Sequence, residues 1–201
     1  MLFRSSLFKG EDNAFFDAND PYHLSATAKS FMAGLLFHAA EITAITNQTV
    51  NSYKRLVPGF EAPVHMTWAR NNRSGLIRVP VPKKGSASAT RIEYRSPDPA
   101  TNPYLAFSVI LAAGLKGVRE GYELAPEADA NLFQMDDLAL QKMGVQQLPQ
   151  SLNDALRIME GSALVHEALG EHIFDWFLRN KHREWRQYKT QVTPFELNTY
   201  L

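Results

Sequence analysis

An α+β fold, an antiparallel sheet flanked by α-helices, is what this sequence predicts, on three observations. Apolar residues recur at helical spacing from Ala28 to Ile45. Residues 47–100 then turn to Pro, Gly and Arg with short β-like runs. Helix-start signals return from Asn102 onward. Strands flanked by blocks of helices suggest an antiparallel sheet.

Taken in order, residues 1–22 read as strand and turn: Leu7-Phe8, a Lys9–Asn13 turn, then Ala14-Phe15-Phe16. Ser25 can cap a helix whose apolar positions (Ala28, Phe31, Met32, Leu35, Leu36, Ala39, Ile42, Ile45) run on to Asn47. Val64–Trp68, Leu76–Val81 and Arg91–Arg95 are the strand candidates, the last two separated by a Lys83-Lys84-Gly85-Ser86 loop. Asn102 followed by Pro103 starts a helix that runs to about Gly121. After a loop around Ala125–Met135, Ser151 and Asp154 fit a second helix start, and helical runs broken near Gly161 and Gly170 extend to about Thr190. Thr193-Pro194-Phe195-Glu196 joins a cap, Pro at the first position and Glu at the third. No repeat or linker divides the chain, so residues 1–201 read as one unit.

Composition narrows function by exclusion. Lys+Arg and Asp+Glu are both 21, so no global basic field points to nucleic acid or an anionic membrane. Cysteine is absent, which removes thiol catalysis, disulfides and Cys-based zinc sites. The longest apolar run, Phe31 to Phe37, falls far short of the ~20 residues a membrane span needs, and the expected location is the cytoplasm.

The neutral total conceals a segregation. From Lys54 to Arg95 there are nine basic residues against Glu61 and Glu93, a local excess of seven positive charges. Six of the nine are arginines, whose planar guanidinium grips carboxylates and phosphates with two bonds. A plain basic surface or an RNA-binding patch would carry the same excess, although aromatic interleaving is thin. Within Arg91-Ile92-Glu93-Tyr94-Arg95, strand alternation puts Arg91, Glu93 and Arg95 on one face. That face offers either a metal-ligating carboxylate between anion clamps or a solvated ion-pair ladder. Glu61 lies in a loop bounded by Pro58, Gly59 and Pro63, an ordinary turn or a lid whose carboxylate accepts a proton. The six histidines show no metal-ligand spacing, and no P-loop, Rossmann or nucleophile-elbow motif occurs. The aromatic-rich segment Phe174, Trp176, Phe177, Trp185, Tyr188 reads as core or a subunit contact.

The same residues carry a family resemblance. The run from Asn51 to Pro63 resembles the glutamate-binding loop of type I glutamine synthetase. The match continues in order through Asn72-Arg73-Ser74, Arg78-Val79-Pro80, Arg91–Asp98, Asn102–Phe107, Leu169–His172 and Val192–Glu196. The resemblance implies part of a half-barrel site between subunits of a double-ring homo-oligomer. There L-glutamate, ammonia and ATP form glutamine through γ-glutamyl phosphate with two Mg²⁺ or Mn²⁺ ions.

Carried over, Arg55 and Arg95 hold glutamate carboxylates. Glu61 is the lid acid that contacts glutamate and takes the ammonium proton. Arg73 and Arg78 face the ATP phosphates and the transferring phosphoryl group, Arg73 also reaching glutamate. Arg91 and Ser6 contact the nucleotide, and Glu93 is a metal ligand. Such roles suit phosphoryl transfer, which is mostly positioning and charge stabilisation.

Departures accompany the match. Leu2 stands at a metal-ligand histidine position and Arg4 at a nucleotide-contacting histidine position. The amino-terminal domain and the strands bearing the other metal carboxylates have no counterpart. The expectation is therefore the C-terminal part of a catalytic domain, from a truncated reading frame rather than a chain adapted to stand alone. The tyrosine adenylylated in some members would fall near Phe133, so that control is not expected. A glutamate–amine ligase of the same family and a non-catalytic nucleotide-binding or assembly remnant remain alternatives.

Overall fold

The computed structural model describes residues 3–60, 62–70, 74–81, 87–128 and 144–201. Glu61, Arg73, the Lys83–Ser86 loop, Leu2 and Phe133, all singled out above, lie outside the described residues.

The strands are β1 (Phe3–Ser5), β2 (Phe8–Lys9), β3 (Asp12–Asn13), β4 (His65–Ala69), β5 (Gly75–Arg78) and β6 (Ile92–Tyr94). The helices are α1 (Ala26–Phe37), α2 (Ala39–Thr46), α3 (Ser52–Arg55), α4 (Pro103–Glu120), α5 (Leu152–Glu160), α6 (Ala163–Leu169), α7 (Glu171–Tyr188) and α8 (Pro194–Tyr200). The fold is α+β, as expected. A four-stranded sheet in the order β1-β6-β5-β4 stands beside a helical layer, and β2-β3 form a separate hairpin.

The hairpin is tighter than the sequence reading. Phe8 pairs with Asn13 and Lys9 with Asp12, so the turn shrinks to Gly10-Glu11, and Gly10 supplies the positive φ of 65° it needs. In the main sheet β1 and β5 both run antiparallel to β6, whereas β4 runs parallel to β5. Only residues 70–74 link β4 to β5, fewer than the dozen or so that join parallel neighbours in a crossover. The register is irregular between His65 and Trp68. Along β4, Met66 N–H donates to Gln146 O, Leu148 N–H to Val64 O and Ala128 N–H to Trp68 O, so distant segments supply part of its ladder.

Helix starts agree closely with the sequence. Ser25, Asn102, Ser151 and Thr193 each accept a backbone N–H at the first turn, and Thr193 with Glu196 closes a reciprocal capping box. The helix expected to run unbroken to Asn47 is two helices meeting at His38. Apolar spacing continues through the junction, so periodicity could not reveal it. The buried His38 Nδ1 pairs there with Glu41 at 2.8 Å, and Ser162 Oγ donates to the same carboxylate, tying α2 to the start of α6.

The core lies between sheet and helices. Phe3, Tyr94 and Ile77 are cross-strand neighbours, all buried, and Phe3 meets Phe107 of α4 edge-on at 4.9 Å. The helix α1 packs on α4 and touches β5, α2 packs on α5, and α7 closes over α5 and α6. The aromatic C-terminal segment splits: Phe174 is buried, Phe177 and Trp185 pack on the core, and Trp176 is half exposed.

The α1–α4 contact is unusually close. A Cβ at Gly34 would lie 2.3 Å from Ala113 O, and one at Gly117 would lie 2.2 Å from Ser30 O. Only glycine lets the two backbones approach in this way.

Candidate functional site

Pleating divides the residues of β1, β6 and β5 between two faces. The row Phe3–Tyr94–Ile77 turns to the core, and the next row, Arg4–Glu93–Arg78, shares the opposite face. Glu93 therefore has an arginine directly across on each neighbouring strand, and Arg91 lies two residues back on its own strand.

The side chains meet as the register requires. Arg78 Nη1 donates to Glu93 Oε2 at 3.1 Å. Arg4 Nε lies 3.4 Å and Arg91 Nε 3.8 Å from Oε1. The Glu93 side chain is 2% exposed, while those of Arg4, Arg78 and Arg91 retain 64%, 43% and 35%. A buried carboxylate without such partners would be strongly unfavourable, so the arginines stabilise it, and it in turn holds three like charges together. Three guanidiniums against one carboxylate leave two positive charges in surplus at the solvent side of the sheet.

Arg95, two residues beyond Glu93, donates from Nη1 to Gly75 O at 3.4 Å. At that end of β6 stands Arg55, the last residue of α3. Its Nη2 donates to Ser96 O and to Asn47 Oδ1 at 3.3 Å, and its Nε is 3.9 Å from Asp98 Oδ2. Burial lowers the Arg55 guanidinium below its ordinary value, against the pull of Asp98. The helix α3, absent from the sequence reading, is what delivers Arg55 there. Thr49 and Ser52 fix its start by exchanging backbone and hydroxyl bonds.

The sequence-predicted residues thus fall into two groups around β6. Arg78, Arg91 and Glu93 converge, and Arg55 and Arg95 flank the far end of β6. Ser6 is exposed just past β1, on the strand that brings in Arg4. Sequence reasoning took Arg4 only as a departure from a histidine and missed it as a partner of Glu93. No local signal could have shown this, because the contact depends on pairing between strands 89 residues apart. Arg70, one of the basic residues counted above, faces away from the cluster's chemistry. Its backbone N–H and Nε bond the two oxygens of Glu127 at 2.7 and 2.9 Å, and its guanidinium stacks 3.9 Å over Tyr22.

Chemically, the sheet face is suited to a multiply charged anion: guanidinium donors in excess, partly exposed, above a buried counter-charge. It is not suited to a metal by itself. Among the described residues no three His, Asp or Glu side chains converge, and Glu93 is a single carboxylate already facing three cations. None of the described helices is long and apolar enough to cross a membrane.

These elements define an α+β domain with an arginine cluster on the open face of its sheet. A family model described as glutamine synthetase, catalytic domain, matches residues 1–200, and the chain belongs to that family. A glutamine synthetase of Mycobacterium tuberculosis (strain ATCC 25618 / H37Rv) is 57% identical over 196 residues, covering 98% of this chain and 44% of that protein. Its counterpart in Mycolicibacterium smegmatis is 56% identical with the same coverage. A solved structure described as a GmaS/ADP complex superposes with a TM-score of 0.85 at 35% identity, covering 99% of this chain and 45% of that one. The chain spans a little under half the length of the curated relatives it matches.

Proposed function

We propose that this chain forms the nucleotide- and glutamate-facing part of a glutamine synthetase-type site, residues 1–201 being one piece of its catalytic domain. The family reaction is ATP-dependent amidation of L-glutamate with ammonia through γ-glutamyl phosphate. The observation that carries this reading is the convergence of Arg78, Arg91 and Arg4 on the buried Glu93, in a chain of this family.

In this reading Arg78 and Arg91, with Ser6 at the rim, bind and orient the nucleotide phosphates, and Arg73 joins them at the transferring group. Arg55 and Arg95 hold the glutamate carboxylates at the other end of β6. Glu61 closes over the acyl phosphate, excludes water and takes a proton from ammonium. Divalent ions, Mg²⁺ or Mn²⁺, supply charge neutralisation in the family reaction. The resemblance offers Glu93 to them, but the described donors do not fit a metal centre on their own. Homo-oligomeric assembly belongs to the same reading.

The test is replacement of the matched segment in the M. tuberculosis relative by this chain, followed by parallel counting of glutamine and phosphate. Formation of the two in equal amounts, abolished by Arg78→Ala, supports the proposal. In the same chimera Glu61→Ala is expected to lower glutamine yield per phosphate released while ATP affinity stays near its starting value. A folded chimera that binds ADP and forms neither product identifies the chain as a non-catalytic remnant.

A further inference from the structure

A carboxylate that ligates a metal ion must present lone pairs to it, and both Glu93 oxygens already face cations. Oε1 lies between Arg4 Nε and Arg91 Nε, and Oε2 accepts from Arg78 Nη1. Arg4 holds its place through the backbone, since β1 pairs with β6 so that Arg4 and Glu93 are direct cross-strand neighbours. Its side chain is 64% exposed against 2% for Glu93. The carboxylate is therefore the floor of the cluster, and the Arg4 fork reaches outward from it.

Each guanidinium carries five N–H donors; among the described residues Glu93 and Ala89 O, which accepts from Arg91 Nη1 at 3.3 Å, engage only a few of them. Among the described residues no second carboxylate pairs with Arg4, Arg78 or Arg91. A divalent cation brought to Glu93 would meet three like charges, whereas a phosphate would meet the remaining guanidinium donors, above all those of the exposed Arg4.

We infer that in this chain Arg4 supplies the positive charge beside Glu93 that a divalent cation would otherwise supply. The Arg4–Arg78–Arg91 cluster then binds the polyphosphate of a nucleoside di- or triphosphate with no bridging metal. The inference takes from the proposed function only the identity of the natural ligand. The phosphate site itself stands on the geometry of the sheet face.

The experiment is calorimetric titration of the 201-residue chain with inorganic tripolyphosphate and with ADP, each in EDTA and in excess Mg²⁺. Tripolyphosphate is expected to bind in EDTA with a Kd no more than about threefold weaker than in Mg²⁺, and Arg4→Ala to weaken that binding about tenfold. Arg4→Lys, which keeps the charge and loses the fork, should fall between them. Mn²⁺ binding followed by electron paramagnetic resonance provides a second readout. Wild type should show no Mn²⁺ site that Glu93→Gln removes.

Tripolyphosphate binding that appears only with Mg²⁺, or an Arg4→Ala chain with unchanged affinity in EDTA, overturns the inference. So does a wild-type Mn²⁺ site lost in Glu93→Gln. Equal binding of tripolyphosphate and ADP in EDTA keeps the metal-free phosphate site while removing the nucleotide reading on which the proposed function rests. The wild-type titration in EDTA decides the matter even if a variant fails to fold.

Discussion

Where α1 meets α4, the two backbones touch through Gly34 and Gly117 with no room for a methyl group. On the open face of β1, β6 and β5, three arginines crowd around one buried glutamate. The first region is governed by steric fit, is electrically neutral where the backbones touch, and contributes stability. The second concentrates like charge, which opposes folding, and a single carboxylate offsets part of that cost. A sheet face that keeps its cations half exposed at a cost in repulsion is what the proposed phosphate-binding role would require. The seam positions the face, because α4 also holds Phe3 of β1 through Phe107 and so helps to fix the strand that carries Arg4.

The seam is the more sensitive of the two regions. Gly117→Ala sets a methyl 2.2 Å from the Ser30 carbonyl and 2.7 Å from Gly34 Cα, backbone atoms that cannot turn aside. The expected loss is on the order of 3 kcal/mol, read from urea or guanidinium midpoints. A variant as stable as the parent would show that the seam yields easily.

On the charged face, Glu93→Gln removes the counter-charge and leaves three guanidiniums repelling one another. Because the arginines are one-third to two-thirds exposed, the expected loss is only about 1–2 kcal/mol. Salt screening should narrow the gap to wild type. A loss insensitive to ionic strength would mean that Glu93 matters for packing and not for charge.

Smaller still is the effect of Glu41, the acid that links α2 to the start of α6. Burial raises the Glu41 carboxyl, but hydrogen bonds from His38 and Ser162 outweigh it and hold the group below its ordinary 4.5. A carboxyl lowered by folding stabilises the protein above about pH 4.5, and that contribution is lost as pH falls through the folded value. Glu41→Gln should therefore cost about 1 kcal/mol at pH 7 and progressively less in acid, as judged from denaturant midpoints across that range. A difference that stays constant with pH would remove the ionic role.

The least effect is expected at Thr193. Its capping box bonds Glu196 in both directions, but α8 buries no residue. Thr193→Ala should speed hydrogen exchange of the first α8 amides by the equivalent of about 1 kcal/mol and leave global unfolding unchanged. A shift in the global midpoint would tie α8 to the core more closely than its exposure suggests.

By itself the sequence determined most of what is set by neighbours along the chain, the short helix α3 excepted. Ser25, Asn102, Ser151 and Thr193 act at their own helix starts, Gly10 within its own turn, and the apolar positions Ile92, Tyr94 and Ala28–Leu35 at their own faces. The arginine excess between Lys54 and Arg95 and the family motifs were legible for the same reason, being local patterns.

Tertiary structure alone decided what depends on which strands become neighbours. The break at His38 answers to Glu41 and to Ser162, which is 121 residues from Glu41. The parallel direction of β4 depends on how the chain returns to it, and segments near Gln146 and Ala128 share its edge. Arg55 reaches its place through α3, a four-residue helix too short to leave a periodic trace. The Arg4–Glu93 contact needs β1 to lie beside β6. An ion pair across a sheet is set by register, and register is settled by burying Phe3 against Tyr94 and Phe107, a choice made by the whole core at once.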